Sequence, residues 1–274
     1  MTALVLVNGE ASAAVPALDR GLAFGDGVFR TLRVRAGRAL NWDRHFRRLC
    51  HDCHALELPV PREDALRSEV ARVAAGEAVV KIIVTRGVSG RGYSWPIEVS
   101  PTRVVAAFPP PDYPPALARE GVRVRRCELR LAEQPRLAGV KSLNRLENVL
   151  ARGEWYDASI REGLLCDREE RLIEGTSSNV FLVFGGALVT PALTRCGVAG
   201  AQRDRIRELA ADAGIAEEVR DVPFAELTQA QEVFLANSLI GIWPVVALGA
   251  RSWPVGPVTR SLQSMLEDDD ARTA

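Results

Sequence analysis

Leu137-Ala138-Gly139-Val140-Lys141-Ser142-Leu143-Asn144-Arg145-Leu146-Glu147-Asn148 holds one of only two lysines in a chain whose other basic residues are all arginine; the second is Lys81. Guanidinium stays protonated at any biological pH, whereas a desolvated ammonium can lose its proton and attack a carbonyl. A lysine kept in such a chain is therefore a candidate for chemistry. Ser142 is suited to cap a helix on which Leu143, Leu146 and Leu150 recur at helical spacing, which predicts a helix from Asn144 to Trp155. Lys141 would then stand just before a helix N-terminus, where the positive end of the dipole favours a neutral amine and attracts an anion. Lys81 lies in Val79-Val80-Lys81-Ile82-Ile83-Val84-Thr85, a β-branched run that reads as a buried strand. Its expected role is bland: a stem covering apolar surface while the amine reaches water.

Outward from Lys141 the chain reads as two α+β domains. Strands are expected at Ala3–Val7, Val28–Val34, Val79–Thr85 and Arg103–Phe108, with helices at Trp42–Leu56 and Arg62–Ala75. Pro109-Pro110-Pro111-Asp112-Tyr113-Pro114-Pro115 excludes helix and central strand and reads as a stiff linker. The predicted domains are residues 1–108 and 121–274, joined by 109–120. The second should hold strands at Val122–Cys127, Val180–Phe184, Ala187–Thr190 and Glu232–Ala236, with a hairpin turn at Gly185-Gly186. Its helices are expected at Gln202–Ala213 and Val258–Leu266, and the acidic tail Glu267–Ala274 is expected to fray. No steady βαβ rhythm appears, which favours α+β.

Lys+Arg and Asp+Glu balance at 35 each, so no net field points to nucleic acid or an anionic membrane. The opening Met-Thr-Ala-Leu-Val-Leu-Val lacks a basic n-region, and no run approaches the ~18 apolar residues of a membrane helix. Five cysteines, an odd number, fit a reducing cytosol, so the expected location is cytoplasmic. Cys50-His51-Asp52-Cys53-His54 matches the C-x-x-C-H haem-attachment pattern and, with His45, gathers all three histidines. Helical spacing argues against haem or metal: Phe46, Leu49, Cys50, Cys53 and Leu56 fall on one stripe, which makes the cysteines core residues.

Four further segments carry weak individual signals. Gly21-Leu22-Ala23-Phe24-Gly25-Asp26-Gly27 is a glycine-rich turn without a dinucleotide or P-loop pattern. Arg86-Gly87-Val88-Ser89-Gly90-Arg91-Gly92-Tyr93 follows a strand and reads as a mobile loop able to meet an anion. Glu174-Gly175-Thr176-Ser177-Ser178-Asn179 concentrates hydroxyls and one carboxylate in what reads as a capped turn. Gly197-Val198-Ala199-Gly200-Ala201-Gln202-Arg203-Asp204 leads into a helix whose backbone N–H groups suit a phosphate.

Together, and in this order, these segments resemble class IV pyridoxal-phosphate enzymes, the fold of branched-chain and D-amino-acid aminotransferases and of aminodeoxychorismate lyases. The likeness rests on Phe24-Gly25-Asp26-Gly27-Val28-Phe29, His45-x-x-Arg48-Leu49, the Lys141 segment, Glu174-Gly175-x-Ser177-Ser178-Asn179, Gly200-x-x-Arg203-Asp204 and Asn237-Ser238 before Pro244-Val245. It implies two α+β domains with pyridoxal 5'-phosphate in the cleft between them, in a homodimer. Lys141 matches the lysine that binds the cofactor covalently, and Glu174 the carboxylate facing its pyridine nitrogen. Arg48 matches the phosphate-binding arginine, although helical spacing alone puts it on a polar face beside Arg44 and Arg47. Ser178, Ala201, Gln202, Asn237 and Ser238 match cofactor-cradling positions; at Ala201 only the backbone N–H can serve.

The fold does not fix the reaction. Phe29-Arg30-Thr31-Leu32-Arg33 and the Arg86–Tyr93 loop resemble lyase sequences, whereas the aminotransferases compared carry Glu at the position of Arg30 and lack Thr31. The cofactor segments resemble D-amino-acid aminotransferases equally well, so an aminotransferase of the D-amino-acid or branched-chain type is the alternative. The lyase resemblance implies aminodeoxychorismate as substrate, with 4-aminobenzoate and pyruvate as products on the way to folate. Thr31 is then the expected proton donor, and Arg91 or Arg30 the partner of substrate carboxylates.

Overall fold

The computed structural model describes residues 4–95 and 97–273, so Ala3 and Ala274 of the expected end segments lie outside it. The described residues form two compact units. The first comprises the chain through Pro111 together with Val140–Asn144; the second comprises Asp112–Gly139 and Arg145–Arg272.

In the first unit, strands β1 (Val5–Val7), β2 (Glu10–Ala11), β3 (Gly27–Arg35), β4 (Arg38–Ala39), β5 (Ala78–Thr85) and β6 (Thr102–Phe108) form one antiparallel sheet in the order β2-β1-β6-β5-β3-β4. Helices α1 (Arg20–Phe24), α2 (Trp42–Ala55) and α3 (Glu63–Val73) complete the unit. Strand alternation sends Val28, Leu32 and Val34 of β3 and Val80, Ile82 and Val84 of β5 into a core with Leu49 and Cys53 of α2 and Leu66 and Val70 of α3. Burial pushes the Cys53 thiol up to about 12, the state of an inert core cysteine, as the helical stripe predicted. The opposite face carries Phe29, Thr31, Lys81 and Ile83, all partly exposed.

The second unit has a nine-stranded mixed sheet of β7 (Val122–Leu131), β8 (Ile160–Asp167), β9 (Leu172–Gly175), β10 (Asn179–Phe184), β11 (Ala187–Pro191), β12 (Glu217–Arg220), β13 (Glu232–Asn237), β14 (Gly241–Leu248) and β15 (Arg251–Ser252). Its helices are α4 (Ala116–Glu120), α5 (Leu146–Arg152), α6 (Ala201–Asp212) and α7 (Pro257–Thr273). β10 is buried on both faces. Val180 and Leu182 join one cluster, while Phe181 and Val183 pack with Ile206 and Leu209 of α6 and Leu262 of α7. That two-sided burial accounts for the unbroken apolar run of β10. Gly185 and Gly186 both take positive φ, 57° and 84°, in the hairpin turn between β10 and β11.

Three expectations change. The helix predicted from Asn144 begins at Leu146, with no side-chain cap. Residues 140–143 instead run along β3: the Phe29 N–H donates to the Lys141 carbonyl at 3.0 Å, and the Leu143 N–H to the Gly27 carbonyl at 2.9 Å. Ser142 is buried against Val28 in this bridge. Two ladder bonds and the burial of Val140 outweigh one extra turn of helix, whose nucleation is costly. The acidic tail does not fray as expected but extends α7, because the buried guanidinium of Arg205 pairs with Asp269 and Asp270. The proline-rich segment is tied down as well, with the ring of Tyr113 edge-on to Trp243 at 5.0 Å. No helix among the described residues is long and apolar enough to cross a membrane.

Candidate active site

Lys141 is half-buried, and its amine lies 4.6 Å from the centre of the Phe29 ring. Lys81, read from sequence as a bystander, brings its own amine to 4.9 Å from the same ring. The cause is strand register: Thr31 pairs directly with Lys81, and Phe29 with Ile83, so the side chains of Phe29, Thr31 and Lys81 share a face. Both lysines of the chain thus flank one aromatic ring with a threonine hydroxyl beside them.

Arg30, an expected substrate contact, faces the other way. Alternation turns it under α2, where its guanidinium is 2% exposed and paired with the fully buried Asp52. Its Nη2 also donates to the Arg48 carbonyl at 3.2 Å. Arg30 therefore lies in the core, on the face of the sheet opposite the one that carries Phe29, Thr31 and Lys81, and not where the sequence expectation of a substrate contact would put it. His45, Arg48 and Asp52 recur at i, i+3 and i+7 on one face of α2. Arg48 is thus half-buried on that face, whereas Arg47 is exposed. Burial, then the charges of Arg30 and Lys141, hold the His45 imidazole down at about 3, so it is neutral. Its Nδ1 is buried without a hydrogen-bond partner.

Arg91 lies on the exposed loop between β5 and β6 and has no ion pair among the described residues. The loop is more constrained than its glycines suggested. Arg20, 4% exposed, donates to the carbonyls of Gly92, Tyr93 and Ser94 and to the Ser89 hydroxyl. Asp26 holds both Arg20 and Arg86. Burial pushes the Asp26 carboxyl up, but the two guanidiniums more than offset it and leave it below the usual range.

In the second unit Glu174 is buried at the end of β9, and its Oε2 accepts the Val198 N–H at 2.8 Å. Asn179 clamps the following segment: its Nδ2 donates to the Val198 carbonyl at 2.8 Å, and its Oδ1 accepts the Gly200 N–H at 3.1 Å. This sets the entry to α6. The N–H groups of Ala201 and Gln202, in the first turn, meet no acceptor among the described residues. Asn237 donates to the Ser177 carbonyl at 3.1 Å and accepts the N–H groups of Leu239 and Ile240, shaping the turn that carries Ser238. The hydroxyl of Ser178 donates to Glu162 at 2.9 Å; those of Thr176 and Ser177 go to the same buried carboxylate. Glu162 went unremarked in the sequence because nothing local marks it as the hub of a turn more than ten residues away.

Chemically, the first unit supplies an amine beside an aromatic face, with a hydroxyl and a second cation. The second supplies a buried carboxylate and a helix N-terminus with unsatisfied donors, an arrangement that receives a phosphate. Each unit by itself carries groups that suit pyridoxal phosphate: the first an amine for its carbonyl, the second a carboxylate for its ring nitrogen and N–H donors for its phosphate.

The family model for class IV amino-transferases matches residues 27–248. An aminodeoxychorismate lyase of Vibrio harveyi is 34% identical over 95% of this chain and 98% of its own length. The crystal structure of 4-amino-4-deoxychorismate lyase from Pseudomonas aeruginosa superposes with a TM-score of 0.94 at 51% identity, covering 97% of this chain and 99% of that one. A D-alanine aminotransferase of Bacillus licheniformis is 27% identical over 96% of each chain.

Proposed function

Because this chain belongs to the class IV aminotransferase family, we propose that it is a pyridoxal-phosphate-dependent 4-amino-4-deoxychorismate lyase. The full-length likeness to the Pseudomonas aeruginosa lyase carries this reading. The cofactor, when bound, supplies an electron sink. Lys141 would anchor it covalently, and the same amine would be the base that takes the proton from the substrate carbon bearing nitrogen. Glu174 holds the pyridine N–H. Arg48, the N–H groups of Ala201 and Gln202, and the Asn237–Ser238 turn bind the phosphate. Ser178 contributes by fixing the Glu174–Asn179 turn through Glu162. Thr31 protonates the departing enolpyruvyl group, and Lys81 and Arg91 receive the substrate carboxylates. The enzyme acts in the cytoplasm as a homodimer. Exposed Leu146, Val149 and Leu150 on α5 support the dimer, since apolar side chains clustered on one short helix favour burial by a second copy.

The purified protein should release pyruvate and 4-aminobenzoate from aminodeoxychorismate with no keto-acid acceptor. D-alanine should convert little of the cofactor to its amine form. Rapid stoichiometric conversion by D-alanine, with no pyruvate from aminodeoxychorismate, would assign the chain to the transaminases. Thr31→Val removes the hydroxyl at nearly constant shape and should slow pyruvate release by up to about 10²–10⁴-fold, less where water substitutes. An unchanged rate removes Thr31 from the reaction.

Arg48→Ala should weaken cofactor binding about ten- to a hundredfold, the worth of one charge-assisted contact of roughly 1.5–3 kcal/mol. Titrating apoprotein with pyridoxal phosphate measures it, and saturating cofactor should recover much of the rate. Unaltered affinity would place Arg48 outside the phosphate site.

A further inference from the structure

One carboxylate organises the main chain around Lys141. The Asp52 Oδ2 accepts the Lys141 N–H at 3.2 Å and also pairs with the Arg30 guanidinium. The same Arg30 Nη2 donates to the Arg48 carbonyl. The ladder with β3 engages the Lys141 carbonyl but leaves its N–H turned away from β3, toward Asp52. Around this pair β3 and α2 contribute Val28, Leu32, Leu49 and Cys53 to an apolar core. A buried ion pair in such surroundings gains little stability over apolar residues of the same volume, so stability alone does not account for it. Its partners do: β3, α2 and the Lys141 segment meet at Asp52.

We propose that Arg30 and Asp52 are positioning residues that fix the main chain from which the Lys141 amine is presented. The proposal rests on the reading of Lys141 as the cofactor lysine and extends it to two residues that touch neither cofactor nor substrate. Displacing a reacting group by about 1 Å can cost about 10²-fold in rate.

Two double variants of the full chain separate positioning from folding. Arg30→Met/Asp52→Leu replaces the pair with apolar side chains and removes the acceptor for the Lys141 N–H. Arg30→Gln/Asp52→Asn removes the charges but keeps an acceptor. The readouts are Tm, hydrogen exchange at the Lys141 amide, the rate at which apoprotein and pyridoxal phosphate develop visible absorbance, and kcat against KM. The apolar pair should keep a near-parental Tm, exchange the Lys141 amide faster, and slow cofactor attachment about 10- to 100-fold, with kcat falling and KM steady. The amide pair should restore much of the attachment rate. Parental attachment by the apolar pair, or equal slowing by both pairs, overturns the proposal. If the apolar pair does not fold, the parent protein still decides: a Lys141 amide that exchanges like an exposed one overturns it. Cofactor attachment without pyruvate release by the parent would refute the lyase reading and leave this test standing.

Discussion

The Lys141→Ala protein should fold, stay colourless with pyridoxal phosphate, and lose turnover by at least about 10⁴-fold. Folding survives because the substitution keeps the main chain, whose carbonyl and N–H are already held by Phe29 and Asp52. Chemistry does not, because in the proposed mechanism the one amine serves as both covalent anchor and base, and general acid–base action alone is worth about 10²–10⁴-fold. Lys81→Ala is the matching control. Its amine flanks the same ring, so it should retain the yellow cofactor and change KM more than colour. Visible absorbance and pyruvate release measure both. Normal turnover by Lys141→Ala would remove the lysine assignment and the mechanism with it.

Glu174→Gln should lower kcat by about 10²–10³-fold, the usual worth of one preorganised electrostatic contact, while shifting Tm little. The amide keeps an oxygen for the Val198 N–H, now bonded at 2.8 Å, but loses the charge that, in the proposed mechanism, would hold a proton on the pyridine nitrogen. Glu174→Ala separates the two roles. It leaves that buried N–H without its acceptor and should cost roughly 1–3 kcal/mol of stability in addition. Paired melting curves and turnover numbers test this. A Gln variant with the parental rate would reduce Glu174 to a structural acceptor for the Val198 turn.

What could be read in the sequence was whatever depends on neighbours along the chain. The pattern of Val28–Val34 and the β-branched run Val79–Thr85 gave strands within a residue or so of those observed, and the Phe46–Leu56 stripe gave α2 with Cys53 buried and Cys50 half-buried. β8 went unseen because Gly163 and a polar start interrupt its pattern, and β14 because Pro244 argues against a strand. The cofactor motifs suggested the family, yet the surroundings of three residues stayed hidden for one reason. Lys81, Arg30 and Asp52 owe their neighbours to cross-strand register and to which face α2 covers, and neither is written in local spacing. Ser142 is the converse case: a good local cap that tertiary pairing with Val28 overrode.

The segment Val140–Leu143, bridged to β3, has a consequence for biogenesis. Its partner β3 is complete by Arg35, and the rest of the first unit by Pro111. At about 5–20 residues per second, the ribosome needs roughly another 2–6 s to deliver Lys141. During that interval the nascent unit exposes the edge of Gly27–Phe29 and a buried carboxylate still waiting for the Lys141 amide. Open strand edges invite pairing with other chains. A fragment ending at Pro111 should therefore self-associate during expression, and supplying Leu137–Asn144 as a peptide should suppress it. The segment that carries the proposed cofactor lysine is also the piece that covers the open edge of β3.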